Sequence, residues 1–208
     1  MTRRLLFLVT EDWYFWSHRL PQARAARDAG FEVLVATRVN THGKRIEAEG
    51  FRLIPLPWSR EGGIAHQLAT MRVLTKLYRR ERPDIVHHVA LKSIAPGALA
   101  ARLAGVRASV NAITGFGYLG ASQAAKAYLV RAGVRTLLPP LTNRRNVWTL
   151  LQNEDDRALA LKLRLTAPQR AVLIRGSGID LGHFAALPEP AGPVTVALVS
   201  RMLRIKGI

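Results

Sequence analysis

Two neighbouring histidines, His87 and His88, stand near the end of the apolar run Ile85-Val86-His87-His88-Val89-Ala90, with Lys92 just beyond. Imidazole is the side chain whose ordinary pKa lies closest to neutrality, so at a strand end it can hold or move a proton. Strand alternation sends one ring into the cover of the sheet and the other away. The expected arrangement puts His88 in a cleft and packs His87 inward, with alternation alone leaving the register open. Two adjacent histidines without a nearby carboxylate do not make a metal centre. The chain has no cysteine, which excludes thiolate-bound zinc, iron–sulfur clusters and a disulfide framework. No metal is expected.

Three further groups could do chemistry. Arg201 and Lys206 lie five positions apart in a basic turn after the apolar run Val194–Val199. A strand running into such a turn is where a phosphate-binding helix begins, and it reads as the opening of a second nucleotide-binding domain. The segment Thr10-Glu11-Asp12-Trp13-Tyr14-Phe15-Trp16-Ser17-His18 puts four aromatics in a row. Read as an exposed loop, it either tucks two or three rings under itself or offers Trp13, Trp16 and His18 to sugar faces or lipid. It holds no glycine, so it cannot bring backbone amides onto a pyrophosphate, which argues against NAD or FAD here. Lastly, Thr114, Gly115, Gly117 and Tyr118 belong to a glycine-rich loop on the expected ligand face.

These residues need elements to hold them. Apolar runs at Leu5–Val9, Phe31–Ala36, Phe51–Leu56, Ile85–Ala90, Ala108–Ile113, Asn146–Leu151 and Ala171–Ile174 predict strands, with Pro55 suggesting an edge. Helical patterns separate them at His18–Ala29, His66–Arg82, Ile94–Ala104, Ser122–Leu138 and Asp155–Leu165. Strands apolar throughout, alternating with helices, indicate a doubly wound, mainly parallel, Rossmann-like α/β sheet covered on both faces. In such sheets ligands sit at the carboxyl ends of the strands, where the candidate residues fall. Residues 1–186 form the expected first domain. Pro188, Pro190 and Pro193 make 187–193 a linker, and 194–208 are the expected first strand and turn of a second domain.

The formal net charge is +17. It reflects either solvated basic helix faces in an Arg- and Ala-rich chain or attraction to an anionic partner, lipid or nucleic acid. The chain has no Cys/His finger, no RNP-type aromatic strand and no block of five Lys/Arg, so no specific nucleic-acid partner is expected. The first apolar run is too short for a signal-peptide core, and the chain is expected in the cytoplasm.

Taken together the segments resemble the family-4 glycosyltransferases, two-domain GT-B enzymes that move a sugar from a nucleotide-sugar to an acceptor. Leu20-Pro21 through Ala36 looks like the family's first helix and second strand. Pro83-Asp84-Ile85-Val86-His87-His88 resembles its P-D-I-V-H strand. Ile174-Arg175-Gly176-Ser177-Gly178-Ile179-Asp180, with Phe184, is similar to its domain exit. Val199 to Gly207 is similar to the G-R-L-x-x-x-K-G opening of its donor domain, with Ser200 where many members have Gly. Asn111 to Gly120 looks most like members that build bacterial surface polysaccharides on lipid carriers.

The resemblance implies the N-terminal half of a GT-B fold and metal-independent transfer with retention at the anomeric carbon, needing no cofactor. It places Arg201 and Lys206 on the leaving diphosphate, and His88 or His87 beside the donor sugar. It implies a nucleotide-sugar donor, a lipid-linked glycan acceptor and an anionic membrane surface at the inner face. The 208-residue chain alone is expected to be inactive. Two other readings stand beside it: a non-catalytic acceptor or membrane subunit with a separate donor-domain partner, and an unrelated Rossmann-like binding protein.

Overall fold

The structure is a computed structural model that describes residues 2–58, 64–116, 132–179, 181–182, 184–189 and 191–200. Its centre is one parallel sheet of seven strands in the order β3-β2-β1-β4-β5-β6-β7. The strands are β1 (Arg4–Glu11), β2 (Glu32–Arg38), β3 (Arg52–Pro55), β4 (Ile85–Val89), β5 (Ala108–Ile113), β6 (Val147–Leu151) and β7 (Ala171–Leu173). Each falls on an expected apolar run, and β3, with its proline, is an edge strand. The order reverses between β1 and β4, which pair through Phe7 with His87 and Leu8 with His88. This is the switch point at which neighbouring crossovers leave in opposite directions and open a crevice.

Alternation divides the sheet's residues between two covers. Leu6, Leu8, Leu34, Ala36 and Val86 face α4 (Ile64–Glu81) and α5 (Leu91–Ala104), meeting Leu74, Leu77, Tyr78, Ala100 and Ala101. Phe7, Val9, Val33, Val35 and Val89 face α1 (Asp12–His18), α2 (Leu20–Asp28) and α3 (Gly43–Ala48), meeting Phe15, Leu20, Ala23 and Ile46. A third cluster joins Ile94, Ile113 and Leu151 to Leu138, before α6 (Pro139–Thr142), and to Ala160 of α7 (Glu154–Lys162). α5 comes close to the sheet because its inner positions are small. A Cβ on Gly97 would stand 2.6 Å from His88 Cδ2, 2.7 Å from its Nε2 and 2.9 Å from Leu8 Cδ2. Only glycine lets the helix seat there.

The structure corrects several expectations. The aromatic segment is no loop: β1 runs on to Glu11, and Asp12–His18 is helical. Asp12 turns the chain there, its carboxylate accepting from the backbone N–H groups of Trp13, Asn40 and His42. One helix expected over His18–Ala29 is instead two short ones, because Pro21 has no N–H to continue α1 and sits in the first turn of α2. α3 was not anticipated, since Ile46 is its only buried large apolar residue. Of the helix expected over Ser122–Leu138, residues 122–131 lie outside the described residues and 132–137 are helical. Beyond Leu173 the described residues form no helix or strand. The strand expected at Val194–Val199 is absent, and Val194 is 97% exposed. A strand needs a neighbour for its backbone groups, and none of the described residues pairs with this run.

Candidate functional site

The carboxyl ends of the central strands do not close on one another. A cavity of ≈ 60 Å³ opens there, between β4, β5, β6 and the start of α2. His87 of β4 forms one wall, and Arg19 and Gln22 another. Ala112, Leu150 and Gln152 follow from β5 and β6, and Ile174 and Gly176 come from the segment after β7. At about 10–15 Å³ per water, the space holds several water-sized groups, enough for one charged substituent.

His87 is 7% exposed, its ring stacked on Phe7 with centroids 5.0 Å apart. Its Nε2 is buried without a hydrogen-bond partner among the described residues. Burial lowers its pKa to about 3, helped by the nearby Arg19 charge and by His88. At neutral pH His87 is therefore an uncharged imidazole, able to donate or accept one hydrogen bond. Arg19 is 5% exposed, and its Nε is likewise buried and unpartnered. Burial pulls the guanidinium pKa down from its ordinary value, with the Tyr14 hydroxyl opposing. No carboxylate among the described residues lines the cavity. An enclosed cation and a neutral imidazole thus share one small space, with hydrogen-bonding capacity left over.

His88 faces the other way and reverses the expected assignment. It is fully buried under α4 and α5. Asn111 Oδ1 accepts from its Nδ1 at 2.8 Å, and the Tyr78 hydroxyl donates to its Nε2 at 3.2 Å. Burial lowers its pKa to about 4, with the Asn111 bond opposing, and pushes the Tyr78 phenol upward. With both ring nitrogens engaged, His88 is a polar pin between α4, β4 and β5. His87, expected in the packing, is the residue at the cavity.

The remaining candidates divide. Trp13 is 44% exposed, whereas Trp16 is half-buried against cluster residues with the Arg45 guanidinium 4.5 Å above its ring. His18 stacks on Tyr14 at 4.2 Å, its pKa lowered by burial and then by Arg19. None of the three lines the cavity. Of the two readings of this segment, the packed one holds for Phe15, Tyr14 and Trp16. Lys92 is exposed on the first turn of α5, and Thr114 and Gly115 are half-buried past the end of β5. Gly117, Tyr118, Arg201 and Lys206 lie outside the described residues.

One more feature marks this end of the sheet. Ala90, between β4 and α5, has φ 69 and ψ 153, a region that glycine alone occupies freely, at a cost of about 1–3 kcal/mol for other residues. Its N–H donates to Ala112 O, holding β4 to β5 beside the cavity.

Residues 4–138 match the family model described as glycosyl transferase 4-like. The chain belongs to that family. No curated protein matches it in sequence. Among solved structures it is similar in fold to Anabaena HepE, crystallised with UDP and glucose. That match has TM-score 0.62 and 15% identity, covering 89% of this chain and 47% of the other. A glycosyltransferase from Rickettsia africae superposes with TM-score 0.59 at 12% identity, covering 88% and 45%. A UDP-N-acetylglucosamine 2-epimerase from Rickettsia bellii gives 0.57 at 10%, covering 85% and 46%. Identities this low establish a shared fold, the Rossmann-like half of GT-B proteins, and an epimerase among them shows that the fold alone does not fix the reaction. The chain spans about half the length of each.

Arg19 is the site residue that sequence reading missed in this family-4-like chain. Its signal was present but easily passed over: an arginine between two short helices, directly before Leu20-Pro21, with no acidic residue near it in sequence.

Proposed function

We propose that this chain is the acceptor-side half of a glycosyltransferase that moves a sugar from a nucleotide-sugar to a lipid-linked glycan in surface-polysaccharide synthesis. The family match over residues 4–138 supports sugar transfer. The observation that carries the acceptor-side reading is the small cavity at the strand ends, lined by Arg19 and His87. In this reading His87, not His88, stands beside the reacting sugar, as a neutral hydrogen-bonding group that orients a hydroxyl or takes its proton. Transfer proceeds with retention and without a metal. Arg201, Lys206 and a helix N-terminus neutralise the leaving diphosphate from the donor side, and that half comes from further chain or a partner subunit.

The membrane enters through charge. Arg72, Lys76, Arg79 and Arg80 are exposed on α4, and Trp13 is exposed on α1. Each basic residue near an anionic leaflet contributes about 1 kcal/mol of attraction. No helix among the described residues is long and apolar enough to cross a membrane. The test is direct binding to this chain. A prenyl-diphosphate-linked saccharide is expected to bind, more tightly on anionic than on neutral vesicles, and UDP is not. Tight UDP binding with no saccharide binding would assign the chain to the donor side and refute the proposal.

A further inference from the structure

The cavity holds an incomplete electrostatic arrangement. Arg19 lines a space with no lining carboxylate among the described residues, and its Nε–H has no acceptor among them. Removing a cation from water costs several kcal/mol unless an anion and hydrogen bonds replace the lost hydration. Here the Tyr14 hydroxyl alone opposes that cost. Beside it, His87 Nε2 is also buried and unpartnered. Arg19 and His87, each more than nine-tenths buried, thus line one cavity, each keeps a buried nitrogen without a partner among the described residues, and the net charge there is positive.

We propose that Arg19 and His87 form an anion subsite, and that it takes a single oxyanion substituent, carboxylate or phosphate, carried by the acceptor. A guanidinium presents donors in a planar fork that matches a carboxylate or one edge of a phosphate. His87 adds a third donor as the Nε2–H tautomer. Gln22 and Gln152 line the same space as uncharged polar groups, and Ala112, Leu150 and Ile174 give it a dry wall in which a charge-assisted bond is strong. The volume admits the charged group, and the open side of the cavity faces the strand ends. The subsite therefore selects acceptors with an acidic residue at a fixed distance from the hydroxyl that is glycosylated. This rests on the acceptor-side reading above.

The experiment follows the Arg19 Nε–H resonance by nitrogen–proton correlation NMR at pH 6, in the whole 208-residue chain. Glucuronate, inorganic phosphate and glucose are added in turn. The resonance is expected to shift and saturate with glucuronate or phosphate and to stay put with glucose. A shift with glucuronate alone assigns the source to an acidic sugar, and one with phosphate alone to a phosphorylated acceptor. Arg19→Leu removes an unpaired buried charge and should fold at least as well as the parent. It should weaken anion binding by about tenfold or more, the loss of a charge-assisted bond. His87→Gln, which keeps an N–H donor, should retain most of it. If neither anion moves the resonance, if glucose moves it equally, or if Arg19→Leu binds like the parent, the proposal is overturned. Anion binding without saccharide–lipid binding would leave the subsite standing and remove the acceptor-side reading instead.

Discussion

Replacing each histidine by alanine separates the two faces of β4. His88→Ala removes a fully buried ring and leaves two partners stranded, the Tyr78 hydroxyl and Asn111 Oδ1. Each orphaned buried group costs about 1–3 kcal/mol, and the vacated ring space adds a cavity term. A loss on the order of 3–5 kcal/mol is expected, near the top of the range for single substitutions and a large share of the 5–15 kcal/mol that holds a domain together. His87→Ala removes a ring whose Nε2 has no partner and which borders open space, so the stacking on Phe7 is the main loss, about 0.5–1.5 kcal/mol. Urea unfolding followed by circular dichroism at pH 7.5 compares the two midpoints at equal slope. Acid titration adds a second readout. Folding holds His88 at about 4 and His87 at about 3, below the ordinary 6.5. Below pH 6.5 the unfolded chain binds protons that the folded chain refuses. Their stability is therefore fully present above 6.5 and is lost as pH falls towards 4 and 3, at about 1.4 kcal/mol per unit for each residue. His88→Ala should flatten that limb. A His87→Ala variant as damaged as His88→Ala, or an unchanged acid limb, would refute the assignment of faces.

Gly97→Ala tests the seat of α5. Alanine favours a helix by up to about 1 kcal/mol over glycine, but its methyl would press on a His88 ring pinned from both sides and on Leu8. Overpacking of about 1–3 kcal/mol should win, read as a lower Tm. Asp12→Asn tests the turn after β1. Three backbone N–H groups outweigh the burial that opposes ionisation, and hold the Asp12 carboxyl below the ordinary carboxylate value. Its contribution is present above that value and is lost as pH falls through the folded pKa. The amide variant should lose about 1–3 kcal/mol at pH 7 and show no acid-dependent loss from this group. Thermal unfolding of both proteins at pH 7 and pH 3 checks it, and equal Tm values at pH 7 would sink the argument.

The sheet was legible because burial on both faces leaves nothing for a strand to be but apolar. Seven runs such as Leu5–Val9 and Asn146–Leu151 need no tertiary information to be seen. The aromatic segment was misread for a related reason. Trp13 to Trp16 carry no turn chemistry and no long period, and the bonds that anchor the start of the helix, from the Asn40 and His42 amides to Asp12, come from a loop far away in sequence. Val194–Val199 has strand composition, but none of the described residues pairs with it, and propensity alone does not make a strand. The site was half legible. The strand bearing two histidines could be located, but not which of them meets open space, because that depends on helices far away in sequence.

The division at β4 follows from how well each cover closes. On one face Gly97 lets α5 down onto the sheet, and Tyr78 reaches in from α4, so the imidazole of His88 has every hydrogen bond made and no room beside it. On the other, α1 and α2 cover β1 and β2, and α2 begins only at Leu20, so that a small cavity remains at the ends of β4, β5 and β6, lined by Arg19 and His87. Identical side chains one residue apart thus receive opposite tasks. A satisfied polar group in a full core can only stabilise. An unsatisfied one beside a space of a few atoms destabilises the empty protein and strengthens whatever completes it, which is the thermodynamic signature expected of a binding site. The strain at Ala90 falls at the same end of the same strand. Burial without satisfaction, more than the histidine pair itself, is what points to function in this half of the fold.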